Sequence, residues 1–339
     1  MIIVFKPQAT PAEVEDVKRH IVELGYEPRV ITGVERTVIG AVGDELSHRS
    51  LEILKSMPSV EDVLPIQKRY KLATRAYHAA DTVVKIGNYA IGGGHFQVIA
   101  GPCSIESFDQ LRTSVRDLVA AGVRIIRGMA YKPRTSPYDF QGMGDEALDY
   151  LVHIKREFGV AVVTEVLGAH HLDKVAAVVD MLQIGARNCQ NYCLLEATAR
   201  VGLPVLLKRG MATSIEEWLS AAEYLMVNGC PNVVLCERGI RTFEKATRNT
   251  LDVGAVAVAK AETHLPVVID PSHAAGVQRL VLPLAKAGIA AGADGVVIEA
   301  HPDPVNALSD AAQQLDSKTF GDIMAALRPY VELGGKRLE

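Results

Sequence analysis

VAVVTE at 160–165, a helical stretch, and then MLQIG at 181–185 form the part of the chain whose reading decides the fold. Each apolar burst is too short for a helix and apolar on both faces, so it must be covered on both sides. Working outward, the same unit recurs as QVIA (97–100), VRIIR (123–127), PVLLKR (204–209), NVVLCER (232–238), PVVID (266–270) and GVVIE (295–299). The stretches between them carry helical periodicity, and Ser214-Ile215-Glu216-Glu217 is a capping box. Eight strand–helix units over residues 96–339 predict an α/β fold, a (β/α)8 TIM barrel. A doubly wound open sheet is the alternative. No G-x-G-x-x-G follows the first burst, since Gly92-Gly93-Gly94 precedes it, so a dinucleotide fingerprint is not supported.

Residues 1–67 follow another rhythm, β-α-β-β-α-β. Residues 2–5 read as a strand, and Thr10-Pro11-Ala12-Glu13 opens a helix with a capping box and proline at its first position. That helix ends near Gly25; 28–31 and 37–42 are β-rich, 47–56 reads as a second helix and 60–66 as the last strand. The order predicts a small ferredoxin-like α+β domain. Pro65 and the basic QKRYK run mark its boundary, and 68–95 reads as a linker, with a hairpin as one reading of it.

Composition sets limits. The 339 residues, 48% apolar and 22% charged with net charge -4, suit one large and one small domain. No basic tract interleaved with aromatics points to nucleic acid. No apolar run approaches the roughly 20 residues that cross a bilayer. The start, MIIVFKPQAT, lacks the basic and long apolar regions of a signal segment. Five cysteines, an odd number set mostly among apolar neighbours, fit a reducing compartment, so a cytoplasmic location is expected. Cys189 and Cys193 have no second pair to complete a structural zinc motif.

Catalytic groups of such barrels gather at the C-terminal ends of the strands. Those ends carry Cys103, Arg127, Glu165, Arg187, Lys208, Glu237 with Arg238, Asp270 with His273, and Glu299. A single one is ordinarily a solvated loop charge; this many on one rim is not. Arg127, Lys132, Arg134, Arg187, Lys208 and Arg238 form a cationic group that exceeds what one phosphate needs. Three of them lie in RGMAYKPRTSP (127–137), which Pro133 and Pro137 stiffen. Cys103, His273 and Glu299 follow strands one, seven and eight, neighbours in a closed barrel, and Asp310 is a candidate fourth ligand. A thiolate, an imidazole and two carboxylates suit Mn, Fe, Co or Zn better than Mg. The plain alternative is a buried apolar cysteine and a hydrogen-bonded loop histidine.

Taken together, these residues resemble the DAHP (3-deoxy-D-arabino-heptulosonate 7-phosphate) synthases of the type I beta subgroup. The resemblance rests on AGPCSIES (100–107), RGMAYKPRTSP, QIGARNCQN (183–191), LLKRGM (206–211), CERGIRTF (236–243), DPSHAAG (270–276) and IEAHPDP (298–304). It implies condensation of phosphoenolpyruvate with erythrose 4-phosphate, the entry to the shikimate pathway. Arg127, Lys132, Arg187, Lys208 and Arg238 would hold phosphoenolpyruvate; Arg134 and Thr135 would hold the aldose phosphate. Cys103, His273, Glu299 and Asp310 would bind the divalent metal. Lys132 would protonate the new alkoxide and Glu165 would orient or deprotonate water, beside Cys103 and His273 at the catalytic centre. The N-terminal unit is similar to the ferredoxin-like (ACT-like) regulatory domain of some members. It would bind tyrosine or phenylalanine and cover the barrel mouth, giving feedback inhibition, unless it serves as a subunit-contact module. A homotetramer is also implied.

Three other readings compete. KDO 8-phosphate synthases, which use arabinose 5-phosphate, carry Lys-Ala-Asn-Arg-Ser where this chain has Lys132-Pro133-Arg134-Thr135. A Schiff-base aldolase would use Lys208 as its amine. A non-enzymatic amino-acid-sensing regulator would use the barrel as a scaffold only.

Overall fold

The computed structural model describes residues 1–32, 36–43, 48–64 and 69–339, which form two compact units, Met1–Arg69 and Tyr70–Glu339. The expected boundary at residue 67, with Pro65 and the first two residues of QKRYK, lies outside the described residues.

In the first unit, strands β1 (Ile2–Phe5), β2 (Glu27–Thr32), β3 (Thr37–Val42) and β4 (Val60–Leu64) form one antiparallel sheet in the order β2-β3-β1-β4. This is the ferredoxin-like order. Helix α1 (Pro11–Glu23) begins with the expected capping box: Thr10 N–H donates to Glu13 Oε2 at 2.7 Å, and Glu13 N–H donates to Thr10 Oγ1 at 3.4 Å. Its Val17 and Ile21 pack with Ile3, Phe5 and Ile39. The second predicted helix differs from expectation. Its start at Ser47 lies outside the described residues, and the remainder is a 3-10 helix, Leu51–Ser56. Six residues repay α-helix nucleation poorly, and Pro58 stops extension. In the 3-10 form Leu51 and Leu54 are eclipsed, and both are buried.

The second unit is a closed barrel. Its parallel strands are β7 (His95–Gly101), β8 (Ile125–Arg127), β9 (Ala161–Glu165), β10 (Met181–Ile184), β11 (Val205–Lys208), β12 (Val233–Glu237), β13 (Val267–Ile269) and β14 (Gly295–Glu299), closed by pairing of β14 with β7. Helices α2 (Phe108–Ala120), α3 (Asp145–Phe158), α4 (Leu172–Ala176), α5 (Tyr192–Ala199), α6 (Ile215–Val227), α7 (Val253–Glu262), α8 (Pro271–Ala275), α9 (Val281–Ala290) and α10 (Ser317–Leu333) link or follow the strands. The hairpin β5 (Val84–Ile86) and β6 (Tyr89–Ile91) belongs to this unit. Its Val84, Ile86 and Ile91 join the barrel's interior cluster, and Tyr89 Oη donates to the carbonyl of Gly159, ahead of β9, at 3.0 Å. The hairpin within the segment read as a linker therefore plugs the N-terminal mouth.

Strand alternation then positions the site. Ile125, Val163, Leu206, Cys236, Val268 and Val297 point into the barrel, while Ile126, Val162, Leu207, Leu235, Ile269 and Ile298 pack under the helices. Two residues beyond each inward apolar side chain the same face recurs. Arg127, Glu165, Lys208, Arg238, Asp270 and Glu299 occupy those positions, and all are buried. A dry apolar layer thus supports a charged layer at the C-terminal mouth.

Candidate active site and metal centre

The local sequence Asp270-Pro271-Ser272-His273 makes the histidine arm. Asp270 caps the short helix α8, with Pro271 at its first position, so Oδ1 accepts the His273 N–H at 2.9 Å. The other oxygen, Oδ2, accepts from His273 Nδ1 at 2.7 Å. That bond leaves Nε2 as the free ring nitrogen, 3.3 Å from Glu299 Oε1 and 4.0 Å from Asp310 Oδ2. Cys103, in the loop after β7, places Sγ 3.2 Å from Asp310 Oδ2. Ligand atoms of Cys103, His273, Glu299 and Asp310 all lie within 4.8 Å of one another. The four residues predicted to meet do so.

Their electrostatics suit a cation. Burial pushes the Cys103 thiol up to about 12; Glu299 and Asp310 reinforce this, against Lys132 and Arg127. Burial also lowers His273 to about 4, despite Asp270 and Glu299, so its imidazole is neutral at pH 7. Burial opposes ionisation of Glu299, yet His273, Arg127 and Lys132 outweigh it and hold its carboxyl down at about 2. Asp310 is likewise lowered, with Lys132 and Arg248 overcoming burial. Glu299 Oε1 is buried and accepts no hydrogen bond, although Arg127 Nη2 stands 3.0 Å away. A neutral imidazole, two ionised carboxylates, one bare carboxylate oxygen and a thiol fit a divalent transition ion.

Beside this cluster lies a cleft of about 320 Å³. Arg127, Lys132, Arg134, Thr135, Arg187, Lys208 and Arg238 all line it, so the predicted anion-binding residues share one space. Lys208 Nζ is ion-paired with Asp270 Oδ2, which suits a cationic anchor better than a Schiff-base amine. Lys132 Nζ reaches the metal cluster as well, 2.6 Å from Cys103 Sγ and 3.8 Å from Asp310 Oδ2. Arg134 Nη2 is 3.2 Å from Asp139 Oδ2 on the same loop. Glu165 also faces the cleft, with Gln183 Nε2 donating to its Oε2 at 3.1 Å. Gly185 makes room for it: a Cβ there would lie 2.0 Å from Glu165 Oε1.

Some residues were read differently or missed. Glu237, placed at the rim by sequence, has the opposite parity to Arg238 and points outward to Arg209, at 2.9 Å. That pair is structural, flanked by Asp252 and by Trp218. Arg241 and Arg248 line the cleft as further cations. Arg248 Nη1 lies 3.2 Å from Asp310 Oδ2 and donates to Gln313 Oε1 at 3.0 Å, and Gln313 Nε2 donates to Glu299 Oε2 at 2.5 Å. Gln183 was legible as the inward residue two beyond Met181; Arg248 sits in an irregular loop and Gln313 in a three-residue 3-10 turn, Ala311–Gln313, where no periodicity marks them.

The comparisons with known proteins converge. Residues 74–332 match the DAHP synthetase I family, and residues 1–68 match the DAHP synthase ferredoxin-like domain. A phospho-2-dehydro-3-deoxyheptonate aldolase of Thermotoga maritima is 45% identical over 338 residues, covering 100% of both chains. A 2-dehydro-3-deoxyphosphooctonate aldolase of Acidithiobacillus ferrooxidans is more distant, 35% identical over 69% of this chain and 88% of its own. The crystal structure of a Thermotoga maritima DAHP synthase superposes with a TM-score of 0.95 at 44% identity, covering 100% of this chain and 99% of that one. A truncated form of that organism's DAHP synthase covers 80% of this chain and 99% of its own, at 44% identity and a TM-score of 0.75. With its barrel and its N-terminal unit both matched, the chain belongs to the DAHP synthetase I family.

Proposed function

We propose that this chain condenses phosphoenolpyruvate with erythrose 4-phosphate to give DAHP and inorganic phosphate. One observation carries the reading: four potential metal ligands converge within 4.8 Å beside a cleft lined by seven predicted substrate-binding residues. Two anionic substrates repel each other in water, and fixed guanidinium and ammonium groups bring them into bonding distance. Arg127, Lys132, Arg187, Lys208 and Arg238 hold the phosphate and carboxylate of phosphoenolpyruvate. Arg134 and Thr135 hold the phosphate of the aldose. Pro133 and Pro137 restrict the loop so that Lys132 faces one substrate while Arg134 faces the other.

Cys103, His273, Glu299 and Asp310 would hold a divalent ion, which when bound supplies Lewis acidity toward the aldehyde oxygen. The vinyl carbon of phosphoenolpyruvate attacks the aldehyde carbon, and positive character develops at C2. Lys132 gives a proton to the oxygen that was the aldehyde's. Glu165 orients the water that adds at C2 and accepts one of its protons. The C–O bond to phosphate then breaks, phosphate leaves with that bond's electrons, and the remaining proton of the new C2 hydroxyl passes to the departing phosphate as the ketone forms. The ion is Mn, Fe, Co or Zn, and a reducing cytoplasm suits the free thiol ligand.

The N-terminal unit, on this reading, binds tyrosine or phenylalanine and transmits feedback inhibition. Removing residues 1–69 should leave an active enzyme that neither amino acid inhibits; retained inhibition would contradict this role. The acceptor is tested by steady-state rates with erythrose 4-phosphate and arabinose 5-phosphate. A clear preference for the four-carbon sugar is expected, and equal or reversed preference would overturn the assignment.

A further inference from the structure

The loops after β7 and β14 carry Cys103 and Asp310, two of the four ligands; Cys103 sits in a bend, and Asp310 precedes a 3-10 turn of only three residues, Ala311–Gln313. Gln314 lies between them and is fully buried, with no exposed surface. Its Oε1 accepts the backbone N–H of Cys103 at 2.9 Å, and its Nε2 donates to the carbonyl of Ser309 at 2.8 Å. One side-chain amide therefore grips the backbone of one ligand residue and the residue preceding the other. Its own main chain is fixed in turn, because Gln278 Nε2 donates to the Gln314 carbonyl at 2.5 Å.

Asp310 needs such support. It has φ +46°, the one non-glycine positive φ among the described residues. A side chain in that region persists only when its surroundings hold it there, and such residues cluster at functional sites. The Ser104 and Ser309 hydroxyls, 2.6 Å apart, add a second tie between the same two loops.

We propose that Gln314 is a positioning residue for the metal centre, its amide setting the spacing between Cys103 and Asp310. The proposal rests on reading Cys103, His273, Glu299 and Asp310 as ligands. Gln314 touches neither metal nor substrate and acts through the two backbones it joins. Such outer partners typically govern metal affinity by about 10–100-fold.

The test uses the full-length chain stripped of metal and titrated with Co²⁺. Affinity is read by competition with a chromophoric chelator, and thiol ligation by the thiolate-to-cobalt charge-transfer band. Gln314→Met keeps the volume and removes both hydrogen bonds; it should weaken Co²⁺ binding about 10–100-fold and diminish the band. Gln314→Asn keeps the amide but is one methylene short, so it cannot span both backbones and should weaken binding at least roughly threefold, which keeps the test valid if the methionine variant does not fold. The thermal midpoint of each metal-free variant reports the fold separately. Wild-type affinity with an undiminished band in the folded variants would overturn the proposal. Cys103→Ser distinguishes the two failures: if wild type shows no thiolate band, or the serine variant binds Co²⁺ as tightly, the ligand reading itself is wrong.

Discussion

The ammonium of Lys132 stands 2.6 Å from the sulfur of Cys103 and 3.3 Å from that residue's carbonyl oxygen. One lysine thus links the cationic cleft to the four candidate metal ligands. Burial would lower its pKa, but Cys103, Glu299 and Asp310 raise it, so it stays cationic. Removing it as Lys132→Met should lower kcat by about 10²–10⁴-fold, the range of a general acid. Metal affinity should not fall in proportion, because the lysine competes with a cation for the same ligands. Pre-steady-state turnover and a metal titration check this together; a variant with unchanged kcat would remove the proton-donor role.

Metal binding should depend on pH with a defined sign. The Cys103 thiol, pushed up to about 12, is protonated at neutral pH, whereas His273, lowered to about 4, is already neutral. Binding then releases one proton, from the thiol, and affinity rises about tenfold per pH unit from roughly pH 6 to 9. Calorimetry in buffers of different ionisation enthalpy counts the proton. A pH-independent affinity would contradict the account.

The Asp270 carboxylate joins Lys208 and His273 through one oxygen. Burial opposes its ionisation, but His273, Lys208 and Arg127 hold it well below the usual carboxylate range. Asp270→Asn should weaken metal binding about 10–100-fold by releasing the imidazole's orientation. It also leaves the buried Lys208 facing a neutral amide, so the metal-free protein should lose about 3–5 kcal/mol. Equilibrium metal titration and urea unfolding separate the two effects. Unchanged metal affinity would show that the histidine needs no orienting partner.

Acid should destabilise the metal-free barrel in a defined window. The His273 pKa falls from 6.5 to about 4 on folding, so the unfolded chain binds the extra proton between those values and stability falls as pH drops through them. Glu299 is lowered from 4.5 to about 2, so its contribution is present above pH 4.5 and is lost below. Both act in one direction. The thermal midpoint of metal-free protein should decline from pH 6.5 downward, and a midpoint flat to pH 4 would contradict the burial of a neutral imidazole.

Much of this was legible in the chain, and the reason is periodicity. Two-sided apolar bursts gave eight strands, and alternation along them put Arg127, Glu165, Lys208 and Glu299 on one inner face. Short local motifs were equally readable: Asp270 as cap and Pro271 as first residue prescribe where His273 points. The failures have two causes, a local parity overlooked and contacts distant in sequence. Glu237 was grouped with Arg238 although adjacent strand residues face opposite ways, and it pairs outward with Arg209. Arg248 acts from an irregular loop, and Gln313 and Gln314 from the end of a short 3-10 turn, where contacts across 65 and 211 residues of sequence leave no local pattern. The hairpin's role as a plug depends on where the chain returns, which a run of short strands does not reveal.

The central claim is most directly tested by phosphate release from phosphoenolpyruvate and erythrose 4-phosphate with metal-stripped full-length protein, followed by add-back of Mn, Fe, Co or Zn singly. The account predicts negligible release without metal, restoration by at least one ion, and one phosphate freed per DAHP formed, with no restoration in Cys103→Ala. Equal release with and without a strong chelator, or none with any ion, would contradict it.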